Sequence, residues 1–485
     1  MGKAFDLPQL DELLLFNNEE ERRGLQLKDP RRQLIHQGTL GHGSKRKEYR
    51  VFLLDHALVI TEPDIVEGLE RLWVVNHPIS IALLQVSLNQ TRSTLLGRIS
   101  LPVGETRYQL CFSSLGKRFN RSKALTLLSQ NAEAANTWIE TVNAQRDANQ
   151  QTAASNVLKL GQDILQGNGG NKVNCAVPYN NGQTIAYGTD DGVYLQSQNG
   201  TSRKAINLKN VQQVDVLEDL SLLVILSERS VFTFPLGELE MEDHTKYMKK
   251  IASHTSFFKV GTCLARTMMC TVKGSSLSST VKILEPAKSP PGLKGQTTLS
   301  KKEDKLKLFR EFYLATELYS VQFLKTKLCA VAASRFEIVD LETLETQALL
   351  DPEDQKLKFT RLIEPHPSCM YRIGDEFLVC YQEFAFYVNS SGKKSDKDVT
   401  IYWEGTPTVC ALQYPYIVGF SPKFLEIRHV DDGSLVQVIL ESDVRCLYDT
   451  NLRTQDFAYQ VSRQRESNVL VSCANQVMFL TPTSS

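Results

Sequence analysis

The 485-residue chain has no excess of charge of either sign, with 55 Lys plus Arg against 55 Asp plus Glu. Attraction of nucleic acid by an overall basic field is thereby excluded, and only a local patch can draw an anion. Nor is there an apolar run fit to cross a bilayer. The longest uncharged stretch, Leu72 to Thr91, is broken by Asn76, His77, Pro78, Ser80 and Gln85, so any membrane contact is expected to be peripheral. The opening MGKAFDLPQLDE lacks the apolar segment of a signal peptide, and Asp6 stands where a myristoylation signal needs Ser or Thr.

Signatures of catalysis are missing too. There is no G-x-S-x-G elbow and no H-E-x-x-H, and the eight histidines are dispersed. Gly38 to Lys45 reads GTLGHGSK, but Ser44 precedes Lys45 where a phosphate loop needs the reverse, and a strand follows where a helix is required. That segment reads as a hairpin turn. His366 and Cys369 stand three apart in EPHPSCM, where the prolines point to a loop rather than a catalytic pair. None of the ten cysteines forms a C-x-x-C pair, and most sit in apolar runs such as KLCAVAA and FLVCYQ. They read as buried thiols in a reducing cytosol. No cofactor, metal, small-molecule substrate or covalent chemistry is expected.

What is present is an ordinary globular mix, 42% apolar and 23% charged. Residues 1–30 are Leu-rich and acidic and read as a lead-in that packs on something. Residues 31–115 read as strands: YRVFLLDHALVIT is two apolar runs around an Asp-His turn, and RYQLCFSS alternates. Over 122–146 the spacing turns helical, with Leu125, Leu128, Ala132, Ala135, Trp138 or Ile139, and Val142 on one stripe. Strands closed by one helix predict a small β-barrel. Residues 147–171, rich in Gln, Asn, Ser and Gly, read as a linker.

From Lys172 to Thr483 the pattern repeats. Paired apolar runs around a short turn begin at Thr184, Ser221, Cys263, Lys327, Phe377, Tyr416 and Asn468. These starts lie 37, 42, 64, 50, 39 and 52 residues apart, against the ~40–45 residues of a four-stranded propeller blade. The widest gap holds the segment 285–307, with Lys288, Lys294, Lys301, Lys302, Lys305 and Lys307 against Glu285, Glu303 and Asp304. It is expected to be a solvated loop, with Ser289 before Pro290 as a candidate phosphorylation or docking point. Seven such units predict a seven-bladed β-propeller over 172–483, because radial stacking buries both faces of each sheet.

One basic group stands out: Lys45, Arg46 and Lys47 in a predicted hairpin tip, with Arg50 just beyond and Glu48 among them. Cations at the mouth of a small barrel suit a phosphorylated headgroup at a membrane surface.

The phrases RRQLIHQGTL…EYRVFLLDHALVITE and NHPISIALLQV, with the helix bearing Trp138, resemble a pleckstrin-homology domain over 31–146. SFFKVGTCLARTMMCTVKGSSLSSTVKILEP, ELYSVQFLKTKLCAVAASRFEIVDLETLETQALLDP and FLVCYQEFAFYVNSSGKKSDKDVTIYWEGTPTVCALQYPYIVGFSPKFLEIRHVDDGSLVQVI are similar to a citron-homology domain. In this order the tandem resembles the C-terminal half of fungal Rho-type guanine-nucleotide exchange factors. The resemblance implies a mainly β chain, a pleckstrin-homology barrel with a C-terminal helix and then a propeller. It implies that exchange activity belongs to a Dbl-homology domain upstream of residues 1–30. It further implies scaffolding that includes Rho-type GTPase contact, and a cytoplasmic, peripheral place at the plasma membrane. At the family's phosphoinositide positions stand His36, Glu48 and Arg50, which implies weak electrostatic attraction to anionic lipid. Citron-type kinases and membrane-trafficking tethers also carry the propeller. They are the alternative settings.

Overall fold

The computed structural model describes residues 5–42, 47–92, 106–119, 124–151, 156–165, 172–197, 200, 202–240, 246–287, 304–397, 399–453, 469–474 and 476–483. The chain divides into two compact units that part at Leu158.

The first unit is a meander of strands. Leu34–Gly41, Glu48–Leu54, Ala57–Val66 and Leu69–Val74 pair in sequence, and Ala124–Ser129 joins them to Thr106–Ser114 and Leu84–Arg92. Asp55 and His56 make the expected turn between two of these strands. One apolar cluster takes Leu40, Val51, Leu53, Ile60, Leu110, Phe112 and Leu127 from successive strands, together with Ala135, Trp138 and Val142. The last three lie on the helix Ala132–Gln151, started by Asn131, whose side chain accepts from the Ala134 amide. The helix begins later than its sequence stripe. Leu125 and Leu128 belong to the strand Ala124–Ser129 instead, where the buried residue is Leu127. It also runs into the expected linker, as far as Gln151.

The opposite face of the sheet is covered as well. Phe52, Leu54, Val59, Leu72 and Val74 pack against Phe5, Leu10, Leu14, Leu25 and Leu27. This explains why YRVFLL is continuously apolar rather than alternating. The lead-in supplies that cover with two short helices, Leu7–Leu13 and Glu19–Leu25. Asp6 and Asn18 cap them by accepting from the Gln9 and Glu21 amides. Leu14–Leu15 then adds a parallel strand beside Leu69–Val74.

The second unit is the predicted propeller. Seven four-stranded sheets follow one another. Their inner strands are Cys175–Tyr179, Val211–Leu217, Phe257–Cys263, Leu318–Phe323, Pro367–Ile373, Val409–Gln413 and Val444–Asp449. Each touches the next, and the last touches the first, so the ring is closed. All seven hairpins read from the sequence are the two middle strands of a blade. Those strands are covered on both faces: every residue of Leu222–Ser227, Phe384–Val388 and Val469–Cys473 is buried.

Side-chain amides tie blade to blade. Gln213 brackets the backbone of Phe258, and Gln322 that of Met370, each donating to the carbonyl and accepting from the amide. Gly261 has to be glycine, because a Cβ there would lie 2.6 Å from the Phe323 ring.

The ring is shut by residues expected to be linker. Leu158–Leu160 pairs antiparallel with Gln476–Pro482 and completes the seventh sheet. Beyond it, Gly161 and Ile164 donate to the carbonyls of Phe479 and Val477, and Leu165 is buried beside Val173, Tyr187 and Leu470. The two ends of the segment 285–307 are likewise strand where loop was expected. Glu285 lies in the strand Ser278–Pro286, buried and paired with Arg266 and Lys307, and Leu306–Leu314 forms the outer strand of that blade. Lys288, Ser289, Lys294, Lys301 and Lys302 lie outside the described residues.

Candidate functional site

Lys45 and Arg46 of the basic hairpin also lie outside the described residues. The neighbours expected to act with them do not gather. Lys47 is bound by the Glu62 carboxylate, which raises its pKa. Arg50 is bound by Glu70, and its guanidinium lies 5.2 Å from the centre of the Phe5 ring. His36 is on the other side of the sheet, edge-on to Trp138 with ring centres 4.4 Å apart. Burial lowers its pKa, so it adds little positive charge at neutral pH. Two of the described cations are neutralised and the third group is held neutral.

Nor do His366 and Cys369 act together. His366 is exposed and meets Glu383 at 3.0 Å. Cys369 lies on Pro367–Ile373, a strand where a loop was expected, and is buried.

Cys369 belongs instead to a group that local spacing does not reveal. Its sulfur and those of Cys380 and Cys410 all lie within 4.8 Å of one another. Cys369 and Cys380 are cross-strand partners in the fifth blade, and Cys410 comes from the inner strand of the sixth. Half of this was readable: counting back from the Gly374–Asp375 turn sets Cys369 opposite Cys380. Only the packing of blade on blade adds Cys410. Burial disfavours ionisation of Cys369, but S–H groups of Cys380 and Cys410 converge on its sulfur and hold it below the ordinary thiol range. Cys380 is pushed up by burial, and Cys410 by its bond to Cys369.

Near the thiols, the Tyr371 hydroxyl donates its one proton to Asp449 at 2.7 Å and lies 2.8 Å from the Cys410 carbonyl. Burial lifts Asp449 to about 7, although Tyr371 and the amides of Asn451 and Leu412 all donate to it. A separate cleft of about 290 Å³ is lined by Arg335, Phe336, Leu357, Arg361, Glu364 and Tyr381, among others. Arg335 is already paired with Glu337 there. Among the described residues no helix is long and apolar enough to cross a membrane.

A closed seven-bladed propeller preceded by a sheet covered on both faces defines a mainly β protein of the propeller class. The sequence profile described as the CNH domain matches residues 181–450, more than half of the chain, and the chain belongs to the CNH-domain family. It is similar to Rho1 guanine nucleotide exchange factor 1 of Schizosaccharomyces pombe, with 36% identity over 92% of this chain and 36% of that protein. It is similar also to RHO1 GDP-GTP exchange protein 2 of Saccharomyces cerevisiae, with 27% identity over 94% of this chain and 36% of the relative. The chain thus spans about a third of the length of these relatives. A solved structure titled AfRom2 CNH domain matches 68% of this chain and 99% of its own, with 33% identity and a TM-score of 0.55.

Proposed function

We propose that this chain is a regulatory and docking segment of a Rho1-type guanine-nucleotide exchange factor. The observation that carries this is the match to such factors over 92% of the chain, joined to a propeller of the CNH family. A match that runs through both units favours an exchange factor over a citron-type kinase or a trafficking tether. In this reading the exchange chemistry resides in the part of the factor that this chain does not span. The propeller offers loops on a rigid ring to a Rho-type GTPase or a partner in the same signalling route. The first unit acts as a pleckstrin-homology domain and keeps the protein at the cytoplasmic face of the plasma membrane. Because Lys47 and Arg50 are already paired, its lipid attraction rests on Lys45 and Arg46 and is weak and salt-sensitive.

The docking part is tested by titrating the chain with Rho-family GTPases loaded with GDP and with a GTP analogue. Binding in either state supports it, and no binding in both removes it. The lipid part is tested by sedimentation with phosphatidylserine vesicles over a salt series. Charge reversal at Lys45 and Arg46 is expected to abolish binding, and unchanged binding rejects the patch.

A further inference from the structure

We propose that Cys369, Cys380 and Cys410 form a three-sulfur site for one soft monovalent cation of the copper(I) class. The three sulfurs make a triangle with no side longer than 4.8 Å. Cys369 is 4% exposed and the other two are fully buried. All three ride on strands, two fixed by one ladder and the third on the adjoining blade, so their spacing is set by the ring itself. Sites on rigid strands hold ligand geometry more closely than sites on loops.

The donor set decides the metal. Thiolates select soft cations, whereas magnesium, calcium and manganese need oxygen ligands. Structural zinc wants four ligands, commonly with imidazole among them. Among the described residues no histidine or carboxylate belongs to this triangle. Three sulfurs complete a trigonal shell for monovalent copper.

Cys369 is preceded by half-buried Ser368, whose hydroxyl reaches the carbonyl of exposed Thr408. Binding forms copper–sulfur bonds, and each ligating thiol releases its proton to water. No electron is transferred.

The experiment uses the full chain, reduced and anaerobic, with copper(I) presented in a coloured chelator. The chain is expected to withhold one equivalent and to show thiolate-to-copper charge-transfer absorption. Cys380→Ser and Cys410→Ser are each expected to weaken retention at least about tenfold, while Cys270→Ala, at a buried thiol of the third blade, keeps it. Circular dichroism reports whether each variant folds. Independently of any variant, copper on the unmodified chain should shield Cys369, Cys380 and Cys410 from alkylation, as mapped by peptide mass spectrometry. The assignment is overturned if no copper is withheld or if other thiols are the shielded ones. It is equally overturned if both serine variants fold and hold copper as before, or if zinc is retained and copper is not.

Discussion

The two units bury a sheet's second face in different ways. In the first, extra elements do it: the helix Ala132–Gln151 covers one side and the segment from Phe5 to Leu27 the other. In the propeller nothing extra is needed, because each blade is the cover of the next. The first solution is local and tolerates irregular strands. The second makes every blade depend on closure of the ring, and closure depends on three residues, Leu158–Leu160.

The sharpest way to break that comparison is to move the start of the propeller. A fragment beginning at Asn156 is expected to fold, whereas one beginning at Lys172 loses the closing strand and two buried leucines, Leu158 and Leu165. At about 2–5 kcal/mol per buried leucine lost, the deficit exceeds ~4 kcal/mol. Denaturant titration of the two fragments measures it, and equal midpoints would show that the ring closes without its seam.

Next come the two large indoles. Trp403 is fully buried, with its N–H on the Tyr381 carbonyl at 3.0 Å, and Trp138 is 2% exposed between His36 and Phe112. Each Trp→Ala change is expected to cost about 3–5 kcal/mol. Calorimetry should show Trp403→Ala lowering the propeller's transition and Trp138→Ala that of the first unit. Both variants shifting one common transition equally would erase the distinction between the units.

Two aspartates sharpen it with opposite signs. Burial raises Asp449 to about 7, so between about pH 4 and 7 the folded propeller holds a proton that the unfolded chain has released. Its stability should fall as pH rises through that window, by at most about 1.4 kcal/mol per pH unit, and Asp449→Asn should remove the slope. Asp55 behaves in reverse. Burial would raise it, but His56, the Gln33 amide and Arg32 together hold it at about 2. The first unit should therefore lose stability as pH falls from about 4 toward 2. Chemical denaturation across pH, followed separately for the two units, checks both directions.

The smallest effect is expected at the surface. Lys47→Gln breaks an exposed ion pair with Glu62 and should leave the denaturation midpoint of the first unit nearly unchanged. A larger loss would mean that the hairpin is held by charge rather than by its ladder.

The same contrast explains what the sequence disclosed. The seven middle hairpins could be read because those strands are buried on both faces, as in SLLVILSERSVFTF around Leu222–Ser227. Inner strands hid themselves. They carry Gln213 and Gln322 for the next blade's backbone, and Asp215 for Arg453 at 3.1 Å, so their pattern is not apolar. The closing strand is three residues in a polar stretch, too short for any period to show. Leu125 and Leu128 mimicked helical spacing because strand and helix follow one another directly there. Among the candidate site residues, Lys47, Arg50 and His36 were visible as cations, but their carboxylate partners and the buried setting of His36 arise only from strand pairing and packing. The thiol triangle joins residues on separate blades, which no local motif can record.

The seam between Leu158–Leu160 and Gln476–Pro482 has a consequence for biosynthesis. The strand that waits is made before the first blade, and the strand it needs is the last of the seventh. Throughout translation the nascent arc keeps two raw edges, and neither is satisfied until the final blade has left the ribosome. A premature stop only a dozen codons ahead of Pro482 would thus leave an unlocked arc of blades, exposed to every other sticky edge in the cell.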